Sequence, residues 1–186
     1  MGRGRERAEP QHPKSSRLGA GSRPVPTLAS ATVPRVWQGI GYRPLPDAAP
    51  ARALFEFAAL PWPAGRDIAF AWGASAAADA EPLVGAVVAE RSGSAVMLHG
   101  PVVTAGAVPL EIAAQLVAAA LDHATAAGTT TVFVRPQGLD RVWVRFGFIP
   151  VPESTLPAGL AGHAGVGLYA WRGGSALWTL RENATA

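Results

Sequence analysis

The chain has 186 residues, no cysteine, sixteen Lys or Arg residues and thirteen Asp or Glu residues. This length suits one domain with a substantial core. The absence of cysteine excludes disulfides, thiolate metal ligands and a cysteine nucleophile. The sequence pI of about 10.2 is typical of nucleic-acid binders, but the excess charge is confined to the N-terminus. Residues 1–35 hold seven basic and two acidic residues, leaving nine basic and eleven acidic residues elsewhere. A nucleic-acid partner is therefore not expected of the folded part.

Residues 1–33 are predicted to be a disordered, basic tail. The segment is rich in Pro, Gly, Ser and Arg and lacks hydrophobic periodicity, so it cannot bury enough apolar surface to offset the entropy lost on ordering. A weak electrostatic arm for nucleic acid or an acidic partner is the functional alternative. No apolar run is long enough for a secretory signal or a membrane span, which predicts a cytoplasmic protein with no membrane contact. Residues 34–186 then form a single domain.

The sequence of the first half of this domain predicts a strand, a helix and a second strand. Residues 35–43 alternate loosely between apolar and polar positions, which indicates a strand. Asp47 is a suitable N-cap for a helix over residues 48–60. Residues 67–73 resemble a further strand, and residues 74–81 a loop. Three side chains of the helix are expected to face the core: Leu54, Phe57 and Ala58.

The second half carries stronger patterns. Residues 82–91 and 95–103 predict two antiparallel strands joined by a turn at Gly93. Apolar residues recur at helical spacing from Pro109 until Gly128, which is a typical C-terminal cap. Residues 129–134 then predict a buried strand, so the helix is the crossover of a parallel, right-handed βαβ unit.

The last predicted elements are short. Residues 138–146 predict a helix that Gly147 ends. Residues 148–151 predict a strand, and residues 166–171 predict the last one. The complete pattern is an α/β domain with a mixed central sheet flanked by helices.

The order of elements from Glu81 to Trp171, with the sequence Phe146-Gly147-Phe148, resembles the cofactor-binding half of the GCN5-related N-acetyltransferases. The resemblance implies an acyl-CoA N-acyltransferase-like fold. It also implies acetyl-CoA as co-substrate and transfer of the acetyl group to an amine of a small molecule or protein. The continuation Gly147 to Pro152 also looks like the corresponding part of N-acetylglutamate synthases.

In this family a Gln/Arg-x-x-Gly-x-Gly/Ala loop opens the helix, and its amides hold the CoA pyrophosphate. Aligned on the helix start, the loop positions fall on Val108, Glu111, Ile112 and Ala113, of which only Ala113 fits the motif. A carboxylate at Glu111 would repel a pyrophosphate. The family's fourth and fifth strands diverge and pantetheine pairs with the exposed edge of the fourth, which implies contacts at Val102 and Val103.

The resemblance also suggests residues for proton transfer. Trp143 occupies the position of a tyrosine that can protonate the CoA thiolate, and an indole cannot do so, although solvent can. His99 and Glu90 are the candidate general bases for the amine. A structural histidine and a solvated strand end are the alternatives for these two residues. The histidines have no paired spacing, so no metal site is predicted.

Two functions therefore remain open. The first is an acetyl-CoA-dependent N-acetyltransferase acting on an amine. The second is a catalytically inactive acetyltransferase-like module that serves as a protein-interaction or structural subunit. A homodimer is compatible with either function.

Overall fold

A computed structural model describes residues 25–63, 68–76, 82–104, 108–160 and 177–180, and every structural statement below concerns these residues. They form one eight-stranded mixed sheet with four α-helices and two 3₁₀ turns. The strands are β1 Arg35–Trp37, β2 Ile40–Leu45, β3 Ile68–Ser75, β4 Leu83–Ser92, β5 Ala95–Val103, β6 Thr131–Val134, β7 Phe148–Pro150 and β8 Trp178–Leu180. The helices are α1 Leu28–Ala31, α2 Ala49–Phe57, α3 Pro109–Ala126 and α4 Asp140–Arg145; the 3₁₀ turns are Glu153–Thr155 and Ala158–Leu160.

The sheet order is β1-β2-β3-β4-β5-β6-β8-β7. The first five strands form an antiparallel meander, and β6 is parallel to β5 because α3 carries the chain back across the sheet. This confirms the predicted hairpin at Gly93 and the predicted parallel βαβ unit. The mixed sheet flanked by helices is the predicted fold class.

Helix α3 is the main element on one face of the sheet. It ends as its sequence predicts: Gly128 has a φ of +75°, the Thr129 amide donates to Ala124 O at 2.9 Å, and the Gly128 amide donates to Thr125 O at 3.0 Å. These bonds define a Schellman cap. Alanines alternate with Ile112, Leu116 and Val117 along the buried stripe of the helix, and the buried aromatic side chains of the cluster come from the strands and α4.

The two faces of the sheet hold separate cores. The α3 face, covered by α3 and α4, contains Trp72, Leu98 and Trp143 among its buried side chains. On the opposite face, here called the α2 face, one cluster lies under α2 and another under the 3₁₀ turns. The α2 face is therefore covered by short elements.

The first predicted strand is wrong in its extent, because residues 35–45 form a hairpin of β1 and β2. Gln38 and Gly39 connect the strands and both have positive φ, 48° and 77°. A two-residue hairpin turn needs this conformation at its central positions. The predicted loop over residues 74–81 also begins too early, since β3 continues to Ser75.

The predicted buried face of α2 is wrong. Phe57 is 79% exposed, Ala58 is exposed and Leu54 is half-buried, whereas Ala51 and Phe55 are buried. Phe55 packs edge-to-face on Trp62 with ring centroids 5.2 Å apart. The residues of α2 that are buried against the sheet are thus Ala51 and Phe55, which are four positions apart and lie on one face of the helix.

The N-terminal end of the folded part differs from expectation. The tail was predicted to reach residue 33, but Leu28–Ala31 form α1, which packs on α3 and buries Ala31. Residues 1–24 lie outside the described residues. So does the strand predicted over residues 166–171. The described part of the sheet also contains β8, placed between β6 and β7. Within the described part of the chain, no helix combines the length and apolar character needed to cross a membrane.

Gly100 is expected to be essential to stability. It has a φ of +88°, and a Cβ there would lie 2.9 Å from Val102 N and 3.0 Å from Ala86 O. Gly100→Ala adds this clash to a left-handed strain of about 1–2 kcal/mol, so the free energy of unfolding should fall by about 3 kcal/mol or more. Gly93→Ala is the control, because Gly93 has a φ of +61° with nothing within 4 Å. Urea unfolding that gives equal losses for both variants would contradict the close approach at Gly100.

Candidate active site

The parallel pairing of β5 with β6 stops halfway along β5. It runs from Ala95↔Thr131 to Leu98↔Val134, and no later pair forms among the described residues. Pro101 on β5 and Pro136 after β6 have no N–H to extend the ladder. Val102 and Val103 remain paired with β4 on their other side. The predicted divergence is therefore present, and we call the point after Leu98 and Val134 the fork.

Glu90 and His99 meet on the α2 face beside the fork. His99 Nε2 lies 3.1 Å from Glu90 Oε2, with the side chains 15% and 3% exposed. An ionised carboxylate can only accept a hydrogen bond, so the contact is compatible with a proton on Nε2 and a basic Nδ1. The sequence proposed these residues as alternatives. The structure brings them together as one pair.

Arg135 and Glu153 form a second charged pair on the same face. Arg135 Nη1 and Nη2 donate to the two carboxylate oxygens of Glu153 at 2.7 and 2.9 Å. The two side chains are 13% and 54% exposed. This hydrogen bonding by Arg135 lowers the pKa of Glu153, against a smaller opposing effect of burial. Sequence reasoning missed the pair because its members are eighteen residues apart in different elements.

The position of Arg135 follows from the register. Met97 and Phe133 are paired across β5 and β6, and both belong to the cluster under the 3₁₀ turns. His99 and Arg135 lie two residues further along the same strands, so alternation directs both to the α2 face. The Glu153 contact agrees, because Glu153 starts the first 3₁₀ turn.

The start of α3 differs from the predicted phosphate loop. The amides of Glu111 and Ile112 both donate to Val108 O, at 3.0 and 3.1 Å, and the side chains of Ile112 and Ala113 are buried in the core. Glu111, Ile112 and Ala113 therefore do not provide the amide cradle that the alignment assigned to them. Val108 is exposed at the helix start. Residues 105–107, which precede it, lie outside the described residues.

Glu111 is paired with a cation. Arg145 Nη1 on α4 lies 3.3 Å from each of its carboxylate oxygens, so the charge expected to repel a phosphate is partly neutralised. The buried hydroxyl of Tyr42 has no hydrogen-bond partner in the described structure. Burial raises the pKa of Tyr42, and the Glu111 charge raises it further. Neither the Glu111–Arg145 pair nor the burial of the Tyr42 hydroxyl has a signal in the local sequence.

Trp143 is not available to a cofactor. Its side chain is fully buried on the α3 face and packs edge-to-face on Phe148, with ring centroids 5.0 Å apart. The indole thus fills the core where the resemblance implied a cofactor contact.

His123 has a structural environment on the α3 face, beside Phe70 and Trp72 and on the opposite face of the sheet from the Glu90–His99 pair. Its Nδ1 accepts a hydrogen bond from Trp72 Nε1 at 3.2 Å, and Phe70 stacks on its ring at 4.0 Å. Burial lowers the pKa of His123, and the Arg91 charge lowers it further. The histidine lies in the last turn of α3, more than three turns from the helix start.

Comparison with known proteins gives structural relatives only. No protein-family model matches the chain, and no curated protein sequence matches it. N-acetylglutamate synthase from Neisseria gonorrhoeae, complexed with coenzyme A and L-arginine, aligns over 77% of this chain and 33% of its own at 14% identity, with a TM-score of 0.55. Its complex with coenzyme A and N-acetyl-glutamate aligns over 79% and 35% at 15% identity, with a TM-score of 0.53. A GNAT-family acetyltransferase from Staphylococcus aureus Mu50 aligns over 60% and 66% at 14% identity, with a TM-score of 0.48.

These likenesses concern the architecture. The chain spans about a third of the length of the N-acetylglutamate synthase. Its mixed sheet flanked by helices matches the acyl-CoA N-acyltransferase fold. The chain has the GCN5-related N-acetyltransferase fold, as its order of elements predicted.

The Arg135–Glu153 pair should contribute to stability only while Glu153 is ionised. Because the folded pKa of Glu153 is lowered, its stabilising effect is complete above the unfolded pKa and disappears as the pH falls through the folded value. Glu153→Gln should therefore lower the free energy of unfolding at pH 7, by less than about 1 kcal/mol since Glu153 is half-exposed. Urea unfolding from pH 7 to pH 3 should show the two proteins converging. A difference that persists undiminished at pH 3 would contradict this linkage.

Proposed function

We propose that this chain is an acyl-CoA-dependent N-acyltransferase, with acetyl-CoA as the donor. The observation that carries the proposal is the fork, which leaves the β6 side of Val102 and Val103 without a strand partner in the described chain. It lies next to the Glu90–His99 pair. An open strand edge offers backbone groups to an extended, amide-containing chain such as pantetheine. The acyl group would then lie beside a histidine that can accept a proton.

His99 is proposed as the general base, acting directly or through one water. Glu90 accepts from His99 Nε2 and so holds the ring with Nδ1 as the basic nitrogen. The buried carboxylate also stabilises the imidazolium that forms when Nδ1 takes a proton. Glu90 is thus a positioning residue. Of the two candidates from the sequence, His99 accepts the proton and Glu90 orients His99.

The acyl donor is proposed to lie along β5, with its phosphates at the start of α3. Acetyl-CoA supplies the thioester whose carbonyl carbon the amine attacks. Val108 is exposed at this helix start, and Arg145 is the cation beside it. The helix N-terminus and the guanidinium both favour an anion. The predicted roles of Ile112, Ala113 and Trp143 as cofactor contacts are not part of this proposal.

The reaction is balanced with these residues. The amine nitrogen forms a bond to the carbonyl carbon and the carbon–sulfur bond breaks. One amine proton passes to His99. The leaving thiolate takes a proton from solvent, since no described residue has been assigned as its acid.

His99→Gln tests the base. We expect the rate of acetyl transfer to fall by about 10²- to 10⁴-fold, with the dissociation constant of acetyl-CoA within twofold of the original. Isothermal titration measures binding, and release of the free thiol measures transfer. His123→Gln is the matched control, because His123 lies on the α3 face and is structural; it should lower stability without a comparable loss of rate. If the original protein is folded and shows no detectable acetyl-CoA binding, the proposal is contradicted and the inactive module is left as the function.

The Glu111–Arg145 pair offers a second test, on the phosphate end. Glu111→Gln should tighten coenzyme A about two- to fivefold, because it removes a repulsive charge and frees Arg145; Arg145→Gln should weaken it by a similar factor. Titration of each variant with coenzyme A measures both changes, and their melting temperatures serve as the control for folding. Equal effects of the same sign would show that the pair only joins α3 to α4.

A further inference from the structure

We infer that Arg135 is the receptor for a carboxylate on the acyl acceptor, so that the acceptor is an α-amino acid or a closely related amino carboxylate. This inference rests on the proposed function. It begins from the asymmetry of the Arg135–Glu153 pair, in which the guanidinium is 13% exposed and the carboxylate 54% exposed.

Arg135 is fixed and incompletely satisfied. It follows β6 at the fork, and its buried Nε has no hydrogen-bond partner within the described part of the chain. Its two Nη groups form the planar, two-donor arrangement that matches a carboxylate. Arg135 is partly buried, and a carboxylate is the preferred partner of its guanidinium. The site therefore favours a carboxylate at this position at all times.

Glu153 is the exchangeable partner. It begins a three-residue 3₁₀ turn between Pro152 and Pro157, and its side chain extends into solvent for about half of its surface. Its side chain is more exposed than that of Arg135, 54% against 13%, so it is the partner that a ligand can replace. Glu153 thus occupies the place of a ligand carboxylate when no acceptor is bound.

The neighbouring residues specify the other end of the acceptor. His99 and Arg135 are the next residues after the last β5–β6 pair, on one face of the sheet. Paired neighbouring strands are about 4.8 Å apart, and His99 and Arg135 directly follow the last pair. In an α-amino acid a single carbon separates the amine from the carboxylate. A carboxylate on Arg135 therefore holds the amine on the side of the cleft where His99 receives its proton.

Two variants break the same ion pair with opposite consequences. Arg135→Gln removes the proposed receptor. Glu153→Gln leaves Arg135 in place, with its two Nη groups no longer paired with the Glu153 carboxylate. If the pair is only a structural bridge, the variants should behave alike. If Arg135 binds the acceptor, they should differ in every measurement of carboxylate recognition.

The test uses the full chain with acetyl-CoA and a panel of α-amino acids, each paired with the amine that lacks its carboxylate. The original protein should favour the amino acids. Arg135→Gln should lower this preference roughly 10- to 100-fold. Glu153→Gln should keep or increase the preference. Arg35→Gln, which breaks the Arg35–Asp122 pair at the far end of α3, is the control and should leave the preference unchanged.

A binding measurement makes the inference independent of catalysis. Millimolar alanine or acetate should raise the melting temperature of Glu153→Gln, have a smaller effect on the original protein, and have none on Arg135→Gln. Ethylamine should have no effect on any of them. Identical responses of the two variants would overturn the inference. Absence of acetyl-CoA binding would overturn the proposed function alone, because the carboxylate response of Glu153→Gln still decides the role of Arg135.

Discussion

The interruption of one strand ladder organises the candidate site. β5 keeps its full pairing with β4, but its parallel pairing with β6 ends at Leu98↔Val134. Pro101 and Pro136 have no amide hydrogen to continue it, and Gly100 takes a positive φ beside the β4 backbone. The sheet therefore remains continuous at one end and opens at the other. Every residue with a proposed role in acyl transfer is placed relative to this opening.

The two faces of the sheet serve different partners in the proposed reaction. The α3 face is filled by a long helix and large side chains, so in the described part of the chain the start of α3, with Val108, Glu111 and Arg145, is what this face offers at the opening. The α2 face carries two charged pairs. Glu90–His99 joins β4 to β5, and Arg135–Glu153 joins the residue after β6 to a 3₁₀ turn. Acyl donor and acceptor can thus approach the fork from opposite sides, and the amine proton leaves on the acceptor's side.

Local sequence patterns predicted the central elements well. Helical periodicity and Gly128 defined α3, and Gly93 between two apolar runs defined the β4–β5 hairpin. The β1–β2 hairpin was missed because its turn uses Gln38, a residue that is rarely in the left-handed conformation. The Arg135–Glu153 and Glu111–Arg145 contacts join elements separated in sequence, so no local pattern could show them. His99 and Glu90 were both selected, but only their pairing on one face shows how they can act together.

The position of β8 has a consequence for how the chain assembles during translation. β7 is made thirty residues before β8, yet β8 is its neighbour among the described strands and lies between it and β6. Strands β1 to β5 can pair one after another as they leave the ribosome. β7 cannot, because its partner is still inside the exit tunnel or not yet synthesised. Its backbone groups stay hydrated, and Pro150 removes one donor from an edge that other nascent chains could join.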